Sequence, residues 1–507
     1  MSAPSAAVGL EQCAPVSGWR RLASDSLLVG GSTVVCHALG AMTSLTFRVL
    51  LDPAQIGVWQ GLKIFLSYAN YANLGVSKAA SRELCIELGR GAKAPAERSL
   101  KLAHSVNTLS SLLYGIVLLG AALWQSRSAT AIWSDPWALG LLVIAALAAV
   151  QRHVTFQVTI LRSRQAFRAA TRLSIQEALL TLIVCGAAAW MWGLRGLYLG
   201  TIFVLFGSLW FLRRQRLPTL GWAWNSREIL RLIGIGGPIL LAGVATSLFG
   251  SLDKLMILGY LDNGDFHLGC YSVALMVSAQ LYGLGNMLSV AAAARYGELF
   301  GRTGDRRQVA RLAGRISEIQ GAAMALAGSL AIVLAPPILA RLLPDYQTGL
   351  PALTWLVVGT LAAVAALPAG QHLVAVEGGR RVLCALAVGI AAAAIGNHWA
   401  LMHGWGITGV AAATAVANVI YLILLAALAL WRDFSGGQRL RYVFSLLGTI
   451  ALPLGLAAVL QAGSSNPSPE AATVAAKAGA VLTLWALIVM VGWRFGGWRD
   501  MAREFGA

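Results

Sequence analysis

Apolar residues in this chain come in runs of about twenty, separated by short stretches rich in arginine, glycine and proline. A helix needs about 20 mostly apolar residues to cross the hydrocarbon core of a bilayer, and fourteen runs meet that length. The first six lie near 24–50, 55–77, 103–124, 133–151, 173–192 and 196–212. The next six lie near 231–258, 267–291, 316–340, 350–374, 382–402 and 407–431, and two more near 441–461 and 473–493. The pattern therefore predicts an all-α polytopic membrane protein.

The layout is written twice. Trp192-Gly193-Leu194-Arg195-Gly196-Leu197 returns as Trp405-Gly406-Ile407-Thr408-Gly409-Val410, an offset of 213. Ile56-Gly57-Val58-Trp59 is echoed by Leu268-Gly269-Cys270-Tyr271 at offset 212. Arg82, Arg90 and Arg98 have counterparts in Arg295, Arg302 and Arg311. A constant offset across glycines, aromatics and arginines indicates two related halves. Six helices per half is an even number, so the halves share one orientation, as parallel repeats do. The expected organisation is an N-terminal tail (1–22), a first lobe of six helices (23–214), a second lobe of six (228–432), two additional helices (440–494) and a C-terminal tail (495–507).

Composition agrees with that reading. The 507 residues are 57% hydrophobic and 12% charged, with mean hydropathy +0.69. Soluble domains carry about 25% charged residues. The net charge of +18 raises nucleic acid as a partner, but the arginines recur between apolar runs and form no single basic face, which excludes it. They follow the positive-inside pattern instead. With the N-terminus inside, 32 of the 39 Lys and Arg fall in inner segments. The chain is thus expected in a bacterial cytoplasmic membrane with both termini cytoplasmic, its inner loops against anionic lipids. The longest inner segments, near 78–102, 152–172 and 292–315, have room for short interfacial helices, while the outer loops reach only about a dozen residues, as around Gly463 to Glu470. The six cysteines are scattered, the seven histidines form no ligand cluster, and nothing matches the spacing of a phosphate-binding nucleotide loop. No cofactor is expected.

Several stretches resemble a known family. Arg48 to Leu51, Ile56-Gly57, Tyr71 to Val76 and Arg82-Glu83-Leu84 look like its first two helices and the following loop. Pro238, Asp253-Lys254, Leu258-Gly259 and Gly269 to Tyr271 look like its helix seven to eight region, and Leu343 to Tyr346 like the outer segment after helix nine. In order and spacing, residues 24–431 resemble the polysaccharide-transporter branch, the Wzx-type flippases, of the multidrug/oligosaccharidyl-lipid/polysaccharide (MOP) exporter superfamily. The resemblance implies movement of a polyprenyl-pyrophosphate-linked oligosaccharide, such as an O-antigen, exopolysaccharide or capsule unit, from inner to outer leaflet. It also implies a glycan polymerase and glycosyltransferases as partners. The residues alone define a two-lobed polytopic transporter.

Ionisable side chains within spanning segments cost free energy and usually face a cavity or a partner. Lys63 lies about 12 Å into helix two at 1.5 Å per residue, and either faces a cavity or snorkels outward. Arg48 is nearer the outer end of helix one, as a binding cation or an interfacial anchor. Asp253 and Lys254 sit near the outer end of helix seven, where an ion pair between helices is the structural alternative to a binding role. Cationic side chains in low dielectric would stabilise a pyrophosphate head. Asn70 and Asn73 in helix two, with Gln280 and Asn286 in helix eight, are further substrate-binding candidates; hydrogen bonding between helices would equally explain them. Asn73 and Asn286 match at offset 213. Lys63 has no charged counterpart, its repeat position being Met276. Pro368, followed by Gln371 and His372, predicts a kink, and Glu177 lies where a helix N-terminus favours a carboxylate.

Alternatives remain. A drug or metabolite exporter of the same superfamily would be expected to hold a carboxylate deep in the first lobe, and helix one has only Asp25 at its edge. A flippase for the lipid-linked peptidoglycan precursor fits the same architecture. A glycan polymerase or ligase would need a larger external surface, so no enzyme is expected. The coupling ion, H+ or Na+, is not specified by the residues.

Overall fold

The computed structural model describes residues 19–89, 93–126, 135–163, 166–214, 221–377, 380–431, 433–446 and 471–495, with a few positions between 451 and 460. It is all-α. Ten helices among the described residues are long and apolar enough to cross a membrane. The chain is a multi-pass membrane protein. By contacts it divides into two compact units, residues 1–51 with 62–244 and residues 52–61 with 245–507. The division falls inside predicted helices two and seven.

In unit 1, α1 (Trp19–Leu50) packs on α6 (Phe167–Leu180) and α7 (Gly186–Arg214), while α4 (Lys93–Gln125) packs on α5 (Pro136–Ser163). Residues 168–214 make one run of 47 residues, about 70 Å at 1.5 Å per residue and more than twice the bilayer core. Gly193 divides it, with φ 59° and ψ −138°. An ideal Cβ on Gly200 would come within 2.8 Å of Cys185 Cα, and one on Gly196 would collide with the Ala188 carbonyl. These pairs centre on position 192, so predicted helices five and six are a tight antiparallel hairpin. A π-turn over Thr181–Cys185 precedes the bend.

The second copy folds alike in unit 2. Gly406, 213 positions after Gly193, also has positive φ, 55°. It opens α14 (Gly406–Ala426), which packs against α13 (Arg380–Met402). A Cβ on Gly409 would lie 3.1 Å from Ala400 Cβ, and one on Gly396 would lie 3.1 Å from Ala413 Cβ. Each copy thus turns at a left-handed glycine and closes through small residues that let backbones approach. Around this hairpin, α10 (Gly264–Thr303), α11 (Arg306–Leu342) and α12 (Leu350–Glu377) form the packed centre of unit 2. Pro368 lies within α12, which is assigned as one uninterrupted helix. Trp485 of α16 (Ala471–Phe495) donates its indole N–H to the Ala322 carbonyl at 2.8 Å, tying that helix to α11.

A second repeat-related contact also lies in unit 2. A Cβ on Gly57 would collide with the Asp265 carbonyl, and one on Gly269 would collide with the Pro53 carbonyl. Pro53 and Gly57 are related to Asp265 and Gly269 by the same offset of 212. The start of α2 (Pro53–Tyr68) and the start of α10 therefore cross reciprocally, each lending the other a glycine.

Two predicted helices are broken in the structure. Helix two was expected to run to about 77; it ends at Tyr68, passes through a 3-10 turn over Ala69–Tyr71, and bends at Leu74 (φ 52°) and Gly75 (φ 81°) before α3 (Val76–Gly89). The Asn73 side chain accepts from Gly75 N–H at 3.2 Å, an Asx-type turn. Helix seven was expected to be continuous over 231–258; it is α8 (Ser226–Phe249) and α9 (Leu252–Tyr260), separated at Gly250-Ser251. The run predicted from 441 begins within an amphipathic α15 (Gly436–Leu446), and most of its remainder lies outside the described residues.

Candidate functional site

In unit 1 the broken end of helix two carries a network of polar side chains. Lys63, Ser67 and Asn70 are exposed, while their neighbours Leu62, Ile64 and Ala69 are buried. Spacings of four and three put the three polar residues on one helix face. Within a bilayer an exposed polar face of this kind is costly to leave against lipid.

Asn70 anchors that stripe to the unit's interior. Its backbone and side-chain oxygens both accept from Arg152 Nη1 of α5, each at 3.1 Å. Arg152 Nη2 donates to Asn107 Oδ1 of α4. Asn107 in turn lies 3.5 Å from Asn73 Nδ2, which also bonds Ser77. Tyr114 donates to the Phe65 carbonyl at 2.6 Å. Two side chains from neighbouring helices thus hold the carbonyl end of helix two, where a cation is also favoured by the helix dipole. Arg152 is buried, and its Nε–H has no hydrogen-bond partner. Beyond the bend, burial pushes the Lys78 amine down from its usual range, and its ammonium lies 5.8 Å from the Tyr71 ring centre.

Arg48 is buried in the same unit, with Nη1 donating to the Ser44 carbonyl at 2.6 Å and to Ser44 Oγ at 2.5 Å. It folds back along its own helix. Elsewhere in unit 1, Arg231 of α8 grips Glu83 of α3 through two bonds of 2.6 and 3.1 Å. Arg98 meets Glu228 at 3.1 Å.

In unit 2 the separation of α8 from α9 places Asp253 and Lys254 side by side with different tasks. Asp253 is buried; its Oδ2 accepts from the Tyr271 hydroxyl at 2.8 Å and its Oδ1 from the Lys254 N–H at 2.8 Å. The carboxylate sits in the first turn of α9, where the helix dipole favours it. Lys254 Nζ reaches back to the Gly250 carbonyl at 2.8 Å, at the end of α8. Thr414 approaches Tyr271 and also donates to Asn397 Oδ1 at 3.4 Å, and the buried Asn397 Nδ2 has no partner. Gln280 and Asn286 are half-buried on α10. Asn286 matches Asn73 by offset, yet α10 is continuous there while helix two bends, so the two asparagines hold different positions in their folds. His372 is fully buried in α12.

The sequence placed Asn70, Asn73 and Lys63 in one region, and the structure brings Asn70 and Asn73 into one network. It missed Arg152 and Asn107. Arg152 follows the predicted end of helix four at 151 and falls in the predicted inner segment 152–172, whereas α5 continues to Ser163.

This architecture defines the chain as a membrane protein with the MOP transporter fold. An inward-closed structure of the lipid II flippase MurJ matches with TM-score 0.65 at 12% identity, covering 92% of this chain and 99% of that one. An inward-facing multidrug resistance MATE family transporter matches with TM-score 0.59 at 18% identity, covering 81% and 95%. A MOP superfamily transporter from Pyrococcus furiosus, described as having a binding pocket of reverse polarity, matches with TM-score 0.56 at 17% identity, covering 83% and 96%. No curated protein matches in sequence. Residues 91–295, less than half of the chain, match the family of polysaccharide biosynthesis proteins. The partial family match agrees with the resemblance read from the sequence, and the solved structures share the fold that the resemblance implies. The matched structures are of transporters and a flippase.

Proposed function

We propose that this protein moves a polyprenyl-pyrophosphate-linked oligosaccharide, an O-antigen, exopolysaccharide or capsule unit, from the inner to the outer leaflet by alternating access. The observation that carries the reading is the exposed stripe Lys63, Ser67 and Asn70 along one helix face. A cation on such a face suits an anionic head and repels a cationic drug. Arg48, Asn73, Asp253, Lys254, Gln280 and Asn286 complete the candidate set, with Asn73 and Arg48 shaping the helices that present it. Orientation follows the arginine pattern: a bacterial cytoplasmic membrane, both termini inside, the inner loops against anionic lipids, and a glycan polymerase and glycosyltransferases as partners. With the cytoplasm negative, each negative charge moved outward gains about 2.3 kcal/mol per 100 mV. Where an ion adds to that drive, H+ or Na+, Asp253 is one of the buried carboxylates of unit 2, with Glu318, able to bind it.

The test is Lys63→Ala in the producing strain. Surface glycan should fall and lipid-linked oligosaccharide should build up on the cytoplasmic side, with the protein still in the membrane. Normal export would remove Lys63 from the mechanism. Normal export after deleting the whole gene would remove the flippase reading.

A further inference from the structure

The Arg152 network in unit 1 holds more charge than its structural task uses. Arg152 is 5% exposed. Every acceptor it has, Asn70 O, Asn70 Oδ1 and Asn107 Oδ1, is formally neutral. Among the described residues no carboxylate pairs with it. Its Nε–H has no acceptor, and neither has the buried Nδ1 of His104, one helical turn before Asn107 on α4, a partner. The His104 ring meets that of His153, the neighbour of Arg152, at 5.6 Å between centres. A buried cation without a counter-ion is costly, and capping one helix end does not need a guanidinium with an idle donor.

The network also has a way out. Asn70 is exposed and belongs to the stripe that begins at Lys63, about 10 Å along the helix at 1.5 Å per residue. When the Asn70 side chain turns away, Nη1 keeps the backbone carbonyl and one of its N–H donors is freed, to act together with the idle Nε–H. A planar fork of N–H donors recognises phosphate oxygens in pairs.

We infer that Arg152, with Asn70 as its cover and Asn107 as its fixed support, is a binding subsite for a phosphate or pyrophosphate group. Resting on the flippase reading, the site is the station at which the lipid's head is first held, before it passes along the stripe to Lys63. Asn70 and the incoming phosphate compete for the same donors, so the site is closed when empty and needs no permanent anion.

Three variants of the full-length protein in nanodiscs test this. Two probes separate the source of the phosphate: inorganic pyrophosphate, and polyprenyl pyrophosphate supplied in the nanodisc, with phosphatidylglycerol as the lipid control. Arg152→Gln should weaken binding of the probe by at least about tenfold. Asn107→Asp is the sharper variant. It keeps the hydrogen bond and gives Arg152 a carboxylate, so a purely structural arginine would be held at least as well. The inference expects thermal stability to be kept or raised while probe binding falls by at least about tenfold. Asn70→Ala, which removes the competing side-chain acceptor, should tighten binding of the pyrophosphate probe.

Binding of only the lipid-linked probe would assign the site to a lipid head, and binding of both would assign it to the phosphate group itself. Wild-type binding in Asn107→Asp and Arg152→Gln overturns the inference, as does a loss that merely follows the unfolded fraction. The flippase reading fails separately. If gene deletion stops export but Asn107→Asp restores it in full, only the Arg152 subsite falls.

Discussion

Replacing Gly57 or Gly269 by alanine tests the reciprocal crossing of α2 and α10. An alanine at a well-spaced helix glycine stabilises by about 1 kcal/mol, because it restricts the unfolded chain. Gly120 of α4 has nothing within 4 Å of an added Cβ and should show that gain. At Gly57 the added methyl meets the Asp265 carbonyl, and at Gly269 it meets the Pro53 carbonyl. Backbone cannot swing aside as a side chain does, so the helices must separate. Overpacking costs about 1–3 kcal/mol, and a collision with a carbonyl belongs at the upper end of that range. Because both collisions occur at one crossing, the separation forced by the first makes room for the second. The double variant should lose clearly less than the two single losses together. Thermal unfolding of the detergent-solubilised protein, followed by size exclusion, reads the four proteins side by side. Strict additivity, or a Gly57→Ala protein as stable as Gly120→Ala, would refute the reciprocal contact.

Gly193→Ala and Gly406→Ala should each cost about 1–2 kcal/mol, from forcing a Cβ into left-handed backbone; the same melting assay should rank them nearly equal, as repeat partners with φ of 59° and 55°. Tyr271→Phe strips the buried Asp253 carboxylate of a donor and should lose about 1.5–3 kcal/mol. Asp253→Asn, whose amide oxygen still accepts, should lose less, and melting of both with their double variant checks that order. Arg231→Glu should destabilise unit 1 by repulsion from Glu83, and adding Glu83→Arg should recover part of the loss; failure of the swap to recover anything would show that the exposed pair contributes only through packing.

Much of the fold was legible because a bilayer demands a simple signal. Runs of about twenty apolar residues marked the helices, and the offset of 212–213 marked the two turns at Gly193 and Gly406 and the crossing glycines at 57 and 269. Lys63 and Asn70 were legible for the same reason, as polar residues inside apolar runs. Arg152 was not. Hydropathy shows where apolar sequence stops, but a helix continues wherever its hydrogen bonds do, so α5 carries Arg152 past the end of the apolar run and against Asn70 and Asn107. The unlike fates of Asn73 and Asn286 were also hidden, because an offset reports common descent and not local backbone.

By itself the sequence determined the solvent, the helical class and the doubling, since each follows from spacing along the chain. Only the tertiary structure decided which helices break and which cation stands without a counter-charge. Helix two ends where Asn73 offers its side chain to the Gly75 N–H and two neighbouring helices take the freed carbonyls. Helix seven parts where Lys254 caps one half and Asp253 opens the next. Those bonds join residues up to 82 positions apart, and no local pattern contains their partners.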